Sequence, residues 1–284
     1  MVATLSHNID EFLSLFHEAA DESGRIIRPF FRGAFSVDHK EGKGVFDPVT
    51  EADRAGEKVI RELVLSRFPD HSFVGEEMGE ITGTSAYRWI VDPIDGTRSF
   101  IIGSPLWGSL IGLTYENTPL MGMMNQPYVN ERFWGLPGGA FWQKGDVVQR
   151  LSVGTKTQLS DAVITTTCPD LFATKDDLSK FETLRARCRM TRFGGDCYSY
   201  CLLALGAVDL VVETGLQDYD IAPLIPIVTE AGGIVSDWQG NKLGLGGGSK
   251  GASSDEGILA KTGGQVIAAS TAALHEAALL SLNG

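Results

Sequence analysis

Three short segments of the chain carry closely spaced acidic side chains. Glu76 lies in the first segment, and Asp220 lies far downstream in the third. In the second, Asp92 and Asp95 follow an apolar run. Carboxylates that converge repel one another and resist ionisation, unless hard divalent cations lie between them and take their oxygens as ligands. A fold that brings these segments together therefore predicts a site for divalent cations, and Mg²⁺ is the expected ion.

The segment around Asp92 also contains groups that suit a phosphate. An apolar run of strand type, residues 89–91, leads into both aspartates, and the pair Gly96-Thr97 follows at once. The backbone N–H groups of such a pair and the threonine hydroxyl can bind phosphate oxygens. This combination favours metal-assisted phosphoryl transfer as the chemistry of the chain.

Other interpretations of the glycine-punctuated segments are less favoured. Aspartates in an isolated Asp-x-x-Asp-Gly pattern usually just shape a turn, but here Glu76, Asp53 and Asp220 accompany them. Phosphatases with a covalent aspartate nucleophile use Asp-x-Asp-Gly-Thr, whereas Pro93 occupies the position which that nucleophile would need.

The run at residues 244–251 lacks the Gly-Lys-Ser/Thr ending of a phosphate loop, so we expect a surface loop there. A nucleotide-binding oxidoreductase would need a Gly-x-Gly-x-x-Gly turn after an early strand, and the early glycines follow polar residues instead.

The composition excludes several classes of partner. The 284 residues are 43% hydrophobic and 21% charged, and the formal net charge is −12. Nucleic acids and anionic membranes select basic surfaces, so neither is an expected partner. The chain has no apolar stretch of about 18 residues, and no basic start followed by an apolar run. We therefore expect a cytoplasmic protein that acts on a small molecule.

The periodicity of apolar residues predicts the helices of the first half. A spacing near 3.6 between Asp10 and Phe31 predicts an amphipathic helix. Thr50 and Asp53 have the spacing of a capping box, which predicts the start of a second helix. Asp53 could act only as a cap, or it could also face a cleft and orient a water molecule. Its position alone does not separate these two roles.

The pattern of elements changes near residue 150. Short β-type runs between residues 107 and 153, separated by turn residues, predict an antiparallel meander. Strands and helices then alternate to about residue 231, which is typical of an α/β arrangement. We predict two domains. Residues 1–150 form an α+β domain with the antiparallel sheet and most of the metal ligands, and residues 151–284 form an α/β domain with Asp220 and the residues on the substrate side.

Four motifs together resemble the inositol monophosphatase superfamily of magnesium-dependent phosphatases. They occur in the family's order and span most of the chain. The motifs are Asp47-Pro48-Val49-Thr50-Glu51-Ala52-Asp53, Gly75-Glu76-Glu77, Trp89 to Thr97, and Tyr219-Asp220-Ile221-Ala222-Pro223 followed by Thr229-Glu230-Ala231-Gly232-Gly233. The resemblance implies a layered α-β-α-β-α sandwich with the active site between its two halves. It also implies a homodimer.

The resemblance assigns roles to individual residues. It implies two or three Mg²⁺ ions, with Glu76, Asp92, Asp95, Asp220 and the backbone carbonyl of Ile94 as metal ligands. The catalytic residues would be Asp53, Thr97 and Glu76, of which Asp53 and Thr97 position the attacking water. Gly96 and Thr97 would hold the phosphate.

Within the superfamily, the chain is most similar to the histidinol-phosphate phosphatase branch. The similarity is carried by Phe193–Cys201, by Val208–Glu213 through Pro226, and by Arg98-Ser99-Phe100 with Asn125-Gln126-Pro127 and Glu131-Arg132. Histidinol phosphate bears an ammonium and a titratable imidazole, so Asp196 and Glu213 would bind the substrate by complementing its positive charge. Alternatively, Asp196 only caps the helix that begins at Cys197, and Glu213 only ends a strand. Phosphatases of inositol 1-phosphate or of another small sugar or nucleotide stay open as alternatives, as does a non-catalytic metal-binding relative.

Overall fold

The computed structural model describes residues 2–34, 36–39, 48–172, 174–243, 259 and 262–284. Its α-helices are α1 Val2–Ile27, α2 Glu51–Arg67, α3 Thr97–Ile101, α4 Lys175–Arg185, α5 Cys197–Ala204, α6 Asp218–Ile221, α7 Leu224–Glu230 and α8 Ala272–Asn283. Its strands are β1 Val37–His39, β2 Pro48–Thr50, β3 Ser72–Gly75, β4 Gly79–Ile81, β5 Tyr87–Asp95, β6 Gly108–Tyr115, β7 Thr118–Gln126, β8 Glu131–Leu136, β9 Gly139–Lys144, β10 Val147–Arg150, β11 Val163–Thr166, β12 Met190–Phe193, β13 Leu210–Glu213, β14 Ile234–Ser236 and β15 Val266–Ala269. Among these residues, no helix is long and apolar enough to cross a membrane.

Two large sheets organise the chain. The first has eight strands in the order β10-β9-β8-β7-β6-β5-β3-β4, and the second has five in the order β12-β11-β13-β15-β14. The neighbours β5 to β10 pair antiparallel, so the predicted meander is confirmed and extends through β9 and β10. The pairing of β3 with β5 is parallel, which places the carboxyl ends of these two strands at one edge of the sheet.

The two sheets and the helices form five layers. Trp89 and Val91 of β5 pack with α1 and α2 on the outer face of the large sheet, whereas Ile90 packs with α5 and α7 on its inner face. This alternation follows from the period of two in a strand. On the small sheet, Val211 faces α5 and α7, and its neighbour Leu210 faces α4 and α8. The predicted α-β-α-β-α sandwich, α/β in class, is confirmed.

A row of glycines lets the middle layer approach the large sheet closely. Gly112, Gly122 and Gly135 are paired across three neighbouring strands, β6, β7 and β8. A methyl group on Gly122 would overlap the carbonyl oxygen of Pro223, and one on Gly135 would overlap that of Pro226. Because these positions carry no side chain, the backbone that joins α6 to α7 lies directly on the strands. The row therefore fixes the position of α6, which precedes Pro223.

The first helix differs from the predicted span, Asp10 to Phe31, at both ends and begins at Val2, whereas the second begins as predicted. Helix α1 ends at Ile27 and not at Phe31, because Pro29 disfavours helical backbone in the residue before it. Helix α2 begins where the capping box predicted. The Thr50 hydroxyl accepts a hydrogen bond from the N–H of Ala52, and the Asp53 carboxylate accepts one from the N–H of Thr50.

Replacing Gly122 by alanine tests the close packing on the glycine row. The added methyl group would displace the backbone at Pro223, so we expect Gly122→Ala to reduce the free energy of unfolding by about 1–3 kcal/mol. Gly139→Ala, in β9 of the same sheet, is the control because its methyl group meets only the end of the Arg150 side chain. We expect a change within about 0.5 kcal/mol for the control. Equal effects of the two substitutions in urea denaturation would contradict the packing role of the row.

Candidate active site

The first three acidic residues lie at one edge of the large sheet. Glu76 directly follows β3, and its N–H donates to the carbonyl oxygen of Val91 in β5 at 3.1 Å. Asp92 and Asp95 lie at the carboxyl end of β5. Since β3 and β5 are parallel neighbours, both deliver their acidic residues to the same edge.

An irregularity in β5 turns its two aspartates to a common side. Residues three apart in a regular strand face opposite sides, because side chains alternate. In the pairing of β5 with β6, Asp92 lies opposite Leu110 and Asp95 lies opposite Gly108, so β5 holds one extra residue. Such a bulge reverses the alternation. The N–H of Ile94, inside the bulge, donates to Oδ1 of Asp92 at 2.9 Å.

Asp220 reaches this edge from the second half of the chain. It lies in α6, where its Oδ2 accepts the N–H of Gln217 at 2.7 Å. Ligand oxygens of Asp92, Asp95 and Asp220 all lie within 4.8 Å of one another. The packing of Pro223 on the glycine row places α6 there. The structure thus brings together acidic residues that are far apart in the sequence.

The electrostatics of the acidic cluster, formed by Asp92, Asp95 and Asp220, suit a divalent cation. Burial and the charges of Glu76, Asp95 and Asp220 raise the pKa of Asp92 well above its ordinary value. Burial likewise raises the pKa of Asp220 well above normal, with Asp95 and Glu76 adding to the shift, and raises the pKa of Asp95 to about 7. Carboxylate oxygens are hard ligands of the type that Mg²⁺ prefers. The cluster is compatible with bound Mg²⁺, which would offset the repulsion among its members.

Asp53 has the capping role, one of the two roles that the sequence left open. It caps α2, since its Oδ2 accepts from the N–H and the hydroxyl of Thr50. Asp53 is also buried, and burial raises its pKa to about 7, with smaller contributions from the charges of Glu77 and Glu76. The capping interpretation is therefore correct, and the cap lies close enough to Glu76 for the charge of Glu76 to affect the pKa of Asp53.

Gly96 and Thr97 form the turn from β5 into α3. Gly96 has a φ of +85°, a conformation that favours glycine, and a Cβ there would lie 2.8 Å from the carbonyl oxygen of Leu106. The Thr97 hydroxyl donates to the carbonyl oxygen of Ile94 at 3.0 Å. In the described part of the chain, no hydrogen bond joins Thr97 to Asp53.

A cavity of about 240 Å³ adjoins the acidic cluster. It is lined by Asp95 and Asp220 and also by Asp196 and Glu213, the two predicted substrate residues. The lining residues not yet mentioned include Thr166, Thr167, Cys168, Leu171, Phe172, Cys197, Tyr200, Thr214, Gly215, Leu216 and Leu224. The structure therefore places the predicted substrate residues beside two of the predicted metal ligands.

Glu213 is held rigidly in this cavity. Its Oε1 accepts from the N–H of Thr167 at 3.0 Å and from the Thr167 hydroxyl, and its Oε2 accepts from the Tyr200 hydroxyl at 2.9 Å. Burial raises its pKa. Glu213 does end β13, as the alternative interpretation held, and its carboxylate also contributes to the cavity wall.

Asp196 does not cap α5 with its side chain. It occupies the N-cap position, but its side chain makes no capping hydrogen bond. Instead, Oδ2 of Asp95 accepts the N–H of Cys197 at 2.6 Å. Asp196 has a φ of +43°, which is strained for a residue with a side chain. Its Oδ2 accepts from the Ser99 hydroxyl at 3.3 Å, and burial raises its pKa to about 8.

Sequence reasoning missed several residues that support the site. Glu57 is buried in α2 and binds the turn after Glu76. Thr167 and Tyr200 hold Glu213. A signal for Glu57 existed, since it falls on the buried stripe of an amphipathic helix, where a carboxylate is unusual. Two features named from the sequence, Asp47 and the glycine-rich run at residues 244–251, lie outside the described residues.

Comparisons with known proteins agree with this architecture. The sequence profile described as "Inositol monophosphatase family" matches residues 8–281. A relative from Arabidopsis thaliana named "Bifunctional phosphatase IMPL2, chloroplastic" is 38% identical over 237 residues, which cover 83% of this chain and 66%, just under two thirds, of the relative. A relative from Chlorobaculum parvum named "Histidinol-phosphatase" is 35% identical over 231 residues, covering 81% of this chain and 87% of the relative.

A solved structure shows the same fold. An inositol monophosphatase from Zymomonas mobilis superimposes with a TM-score of 0.80 and 37% identity, covering 97% of this chain and 98% of that one. The chain belongs to the inositol monophosphatase family.

Proposed function

We propose that this chain is a Mg²⁺-dependent phosphomonoesterase that hydrolyses histidinol phosphate to histidinol and phosphate. The observation that carries the proposal is the cavity of about 240 Å³, in which Asp196 and Glu213 lie beside Asp95 and Asp220. A phosphate bound at the acidic cluster would place the organic part of the substrate in this cavity. Burial raises the pKa of Asp196 and of Glu213, and a positively charged organic part would favour their ionised forms.

The cluster would hold the ions through oxygen ligands. Asp92, Asp95, Asp220 and Glu76 would supply carboxylates, and Ile94 would supply its carbonyl, which has two lone pairs and accepts one hydrogen bond from Thr97. When bound, Mg²⁺ supplies positive charge to the phosphoryl oxygens and makes a water molecule more acidic. The proposed number of ions, two or three, comes from the resemblance to the family.

The remaining residues would orient the reactants. The backbone of Gly96 and Thr97 would bind phosphate oxygens, since the left-handed turn at Gly96 exposes the start of α3. Asp53 would accept a hydrogen bond from the attacking water, with Thr97 as the second partner. Asp53 is already fixed by its bonds to Thr50, so it loses little freedom when it binds water.

Part of the cavity wall is apolar and suits a flat ring. Leu171, Phe172 and Leu216 contribute this apolar wall. Histidinol presents an imidazole ring and an ammonium group, so it offers a flat face to the apolar wall and positive charge to Asp196 and Glu213. The relatives named "Histidinol-phosphatase" support this choice of substrate.

A second candidate substrate is inositol 1-phosphate. It is favoured by the solved structure from Zymomonas mobilis and by tomato relatives named as inositol monophosphatases. A polyol is neutral and polar, so it would gain little from the apolar wall or from the charge of Glu213. Asp196, with its pKa of about 8, could still accept hydrogen bonds from hydroxyl groups. When it is protonated, it could also donate one to them. Direct comparison of the two substrates separates these functions.

Asp92→Asn tests the metal assignment. The amide oxygen can still accept the N–H of Ile94, so we expect the fold to survive. Loss of one ligand should remove several kcal/mol of charge stabilisation in the transition state and reduce kcat by about a thousandfold. Without metal, the variant should unfold at the same temperature as the wild type or higher, because one repelling charge is gone.

The measurements are phosphate release and thermal unfolding, each in EDTA and in Mg²⁺. Asp146→Asn, at an exposed position of the β9–β10 turn, is the control and should behave as the wild type. Near-normal turnover by Asp92→Asn would show that Asp92 is not a metal ligand.

Glu213→Gln tests the substrate. The variant can still accept from Thr167 and can donate to the Tyr200 oxygen, so the cavity keeps its shape while losing a charge. A hydrogen bond to a charged group contributes about 1.5–3 kcal/mol, so kcat/KM for histidinol phosphate should fall about 10- to 100-fold. For inositol 1-phosphate we expect little change. An equal loss for both substrates would refute the charge-complementarity argument.

A further inference from the structure

Glu57 is a buried carboxylate to which the proposed chemistry gives no role. It lies in α2, one turn after Asp53, and its side chain is fully buried. Its Oε2 accepts the N–H of Glu77 at 2.7 Å, and its Oε1 accepts the N–H of Met78 at 2.8 Å. Both carboxylate oxygens therefore bind the turn that follows β3.

This turn begins with Glu76. The N–H of Glu76 is fixed on one side by the carbonyl oxygen of Val91 in β5. Glu57 fixes the next two residues from the opposite side, from α2. Glu76 is thus held between the strand that carries Asp92 and the helix that carries Asp53.

The residue before Glu76 is shaped to admit Glu57. A Cβ on Gly75 would overlap the Glu57 carboxylate. Any larger residue at position 75 would therefore push Glu57 away from the two N–H groups. The two positions act as a pair: one supplies the carboxylate and the other leaves room for it.

Burying the carboxylate of Glu57 costs free energy unless other interactions compensate it. Asp53, Glu57, Ile60 and Val64 form one buried stripe along α2. The second half of this stripe is apolar and packs in the core, whereas the first half is polar. A carboxylate in such a position destabilises the protein unless hydrogen bonds compensate it. The compensating bonds here go to the turn that carries a predicted metal ligand.

We propose that Glu57 is a positioning residue that sets the affinity for Mg²⁺ by holding residues 76–78 so that Glu76 faces Asp92. This inference rests on the proposed function, since it requires Glu76 to be a metal ligand. Groups that orient metal ligands typically change metal affinity 10- to 100-fold when they are replaced. Glu57 makes no contact with substrate in this account.

Glu57→Gln is the primary test. Its amide can accept only one of the two N–H groups and places its own NH₂ against the other, so the turn loses its anchor at nearly constant volume. We expect the Mg²⁺ concentration for half-maximal activity to rise at least about tenfold. The Mg²⁺ concentration that gives half of the thermal stabilisation should rise by the same factor. Saturating Mg²⁺ should restore most of kcat.

Asp237→Asn is the matched control. Asp237 is also buried, and its Oδ1 accepts two backbone N–H groups, of Gln239 at 2.9 Å and Asn241 at 2.8 Å. It lies after β14, in the small sheet. We expect Asp237→Asn to reduce stability. The two Mg²⁺ midpoints, which are the concentrations for half-maximal activity and for half of the thermal stabilisation, should stay unchanged. If a general loss of stability were enough to weaken Mg²⁺ binding, the Mg²⁺ midpoints of both variants would rise by similar amounts.

Two further measurements keep the proposal testable if Glu57→Gln unfolds. Gly75→Ala should raise the Mg²⁺ midpoints in the same direction, because it displaces Glu57. In the wild type without metal, the amides of Glu77 and Met78 should exchange slowly with deuterium. Fast exchange of both amides would overturn the proposal.

The outcomes separate this inference from the proposed function. If the wild type responds to Mg²⁺ and Glu57→Gln keeps wild-type midpoints in both assays, Glu57 does not position the ligand, and the phosphatase assignment stands. If the wild type itself shows neither phosphatase activity nor stabilisation by Mg²⁺, the proposed function fails, and this inference fails with it.

Discussion

Mutual repulsion among closely spaced carboxylates, one buried and two half-buried, is the constraint on which this structure depends. Ligand oxygens of Asp92, Asp95 and Asp220 lie within 4.8 Å of one another, and burial raises the pKa of each. An arrangement of this kind costs free energy unless something else holds it together. The fold must supply that free energy in the metal-free protein, and divalent cations would supply it in the working enzyme.

Two features of the backbone hold the charges in place. The bulge at Pro93 and Ile94 turns Asp92 and Asp95 to one side. The glycine row seats the backbone at Pro223 and thereby brings Asp220 to the sheet. Both features are formed by backbone geometry and not by a bound ion. The site is therefore organised before any ion or substrate binds, as efficient electrostatic catalysis requires.

The sequence predicted the parts of the site that depend on local patterns. The apolar run before Asp92, the Gly-Thr pair after Asp95 and the capping box at Asp53 can all be identified from short segments. The layered fold followed from the resemblance. The sequence patterns did not identify β14, β15 or α8, since these elements are short or follow the glycine-rich run.

Long-range geometry explains what the sequence could not predict. The bulge is visible only in the pairing with β6, and the glycine row only in the register of three strands. Asp95, not Asp196, accepts the first N–H of α5, across 102 residues. Thr167 and Tyr200 meet Glu213 only after the second half has folded. Each contact joins residues whose proximity no local pattern encodes.

The dependence of thermal stability on pH, with and without Mg²⁺, tests the central claim most directly. A carboxylate whose pKa is raised on folding stabilises the protein below its unfolded pKa of about 4, and this contribution is lost as pH rises through the folded pKa. Because the pKa of Asp53 and of Asp95 is raised to about 7, the melting temperature in EDTA should fall as pH rises toward 8. Saturating Mg²⁺ should remove most of that fall, so its stabilising effect should be much larger at pH 8 than at pH 5. An equal effect of Mg²⁺ at both pH values, or none, would contradict the account.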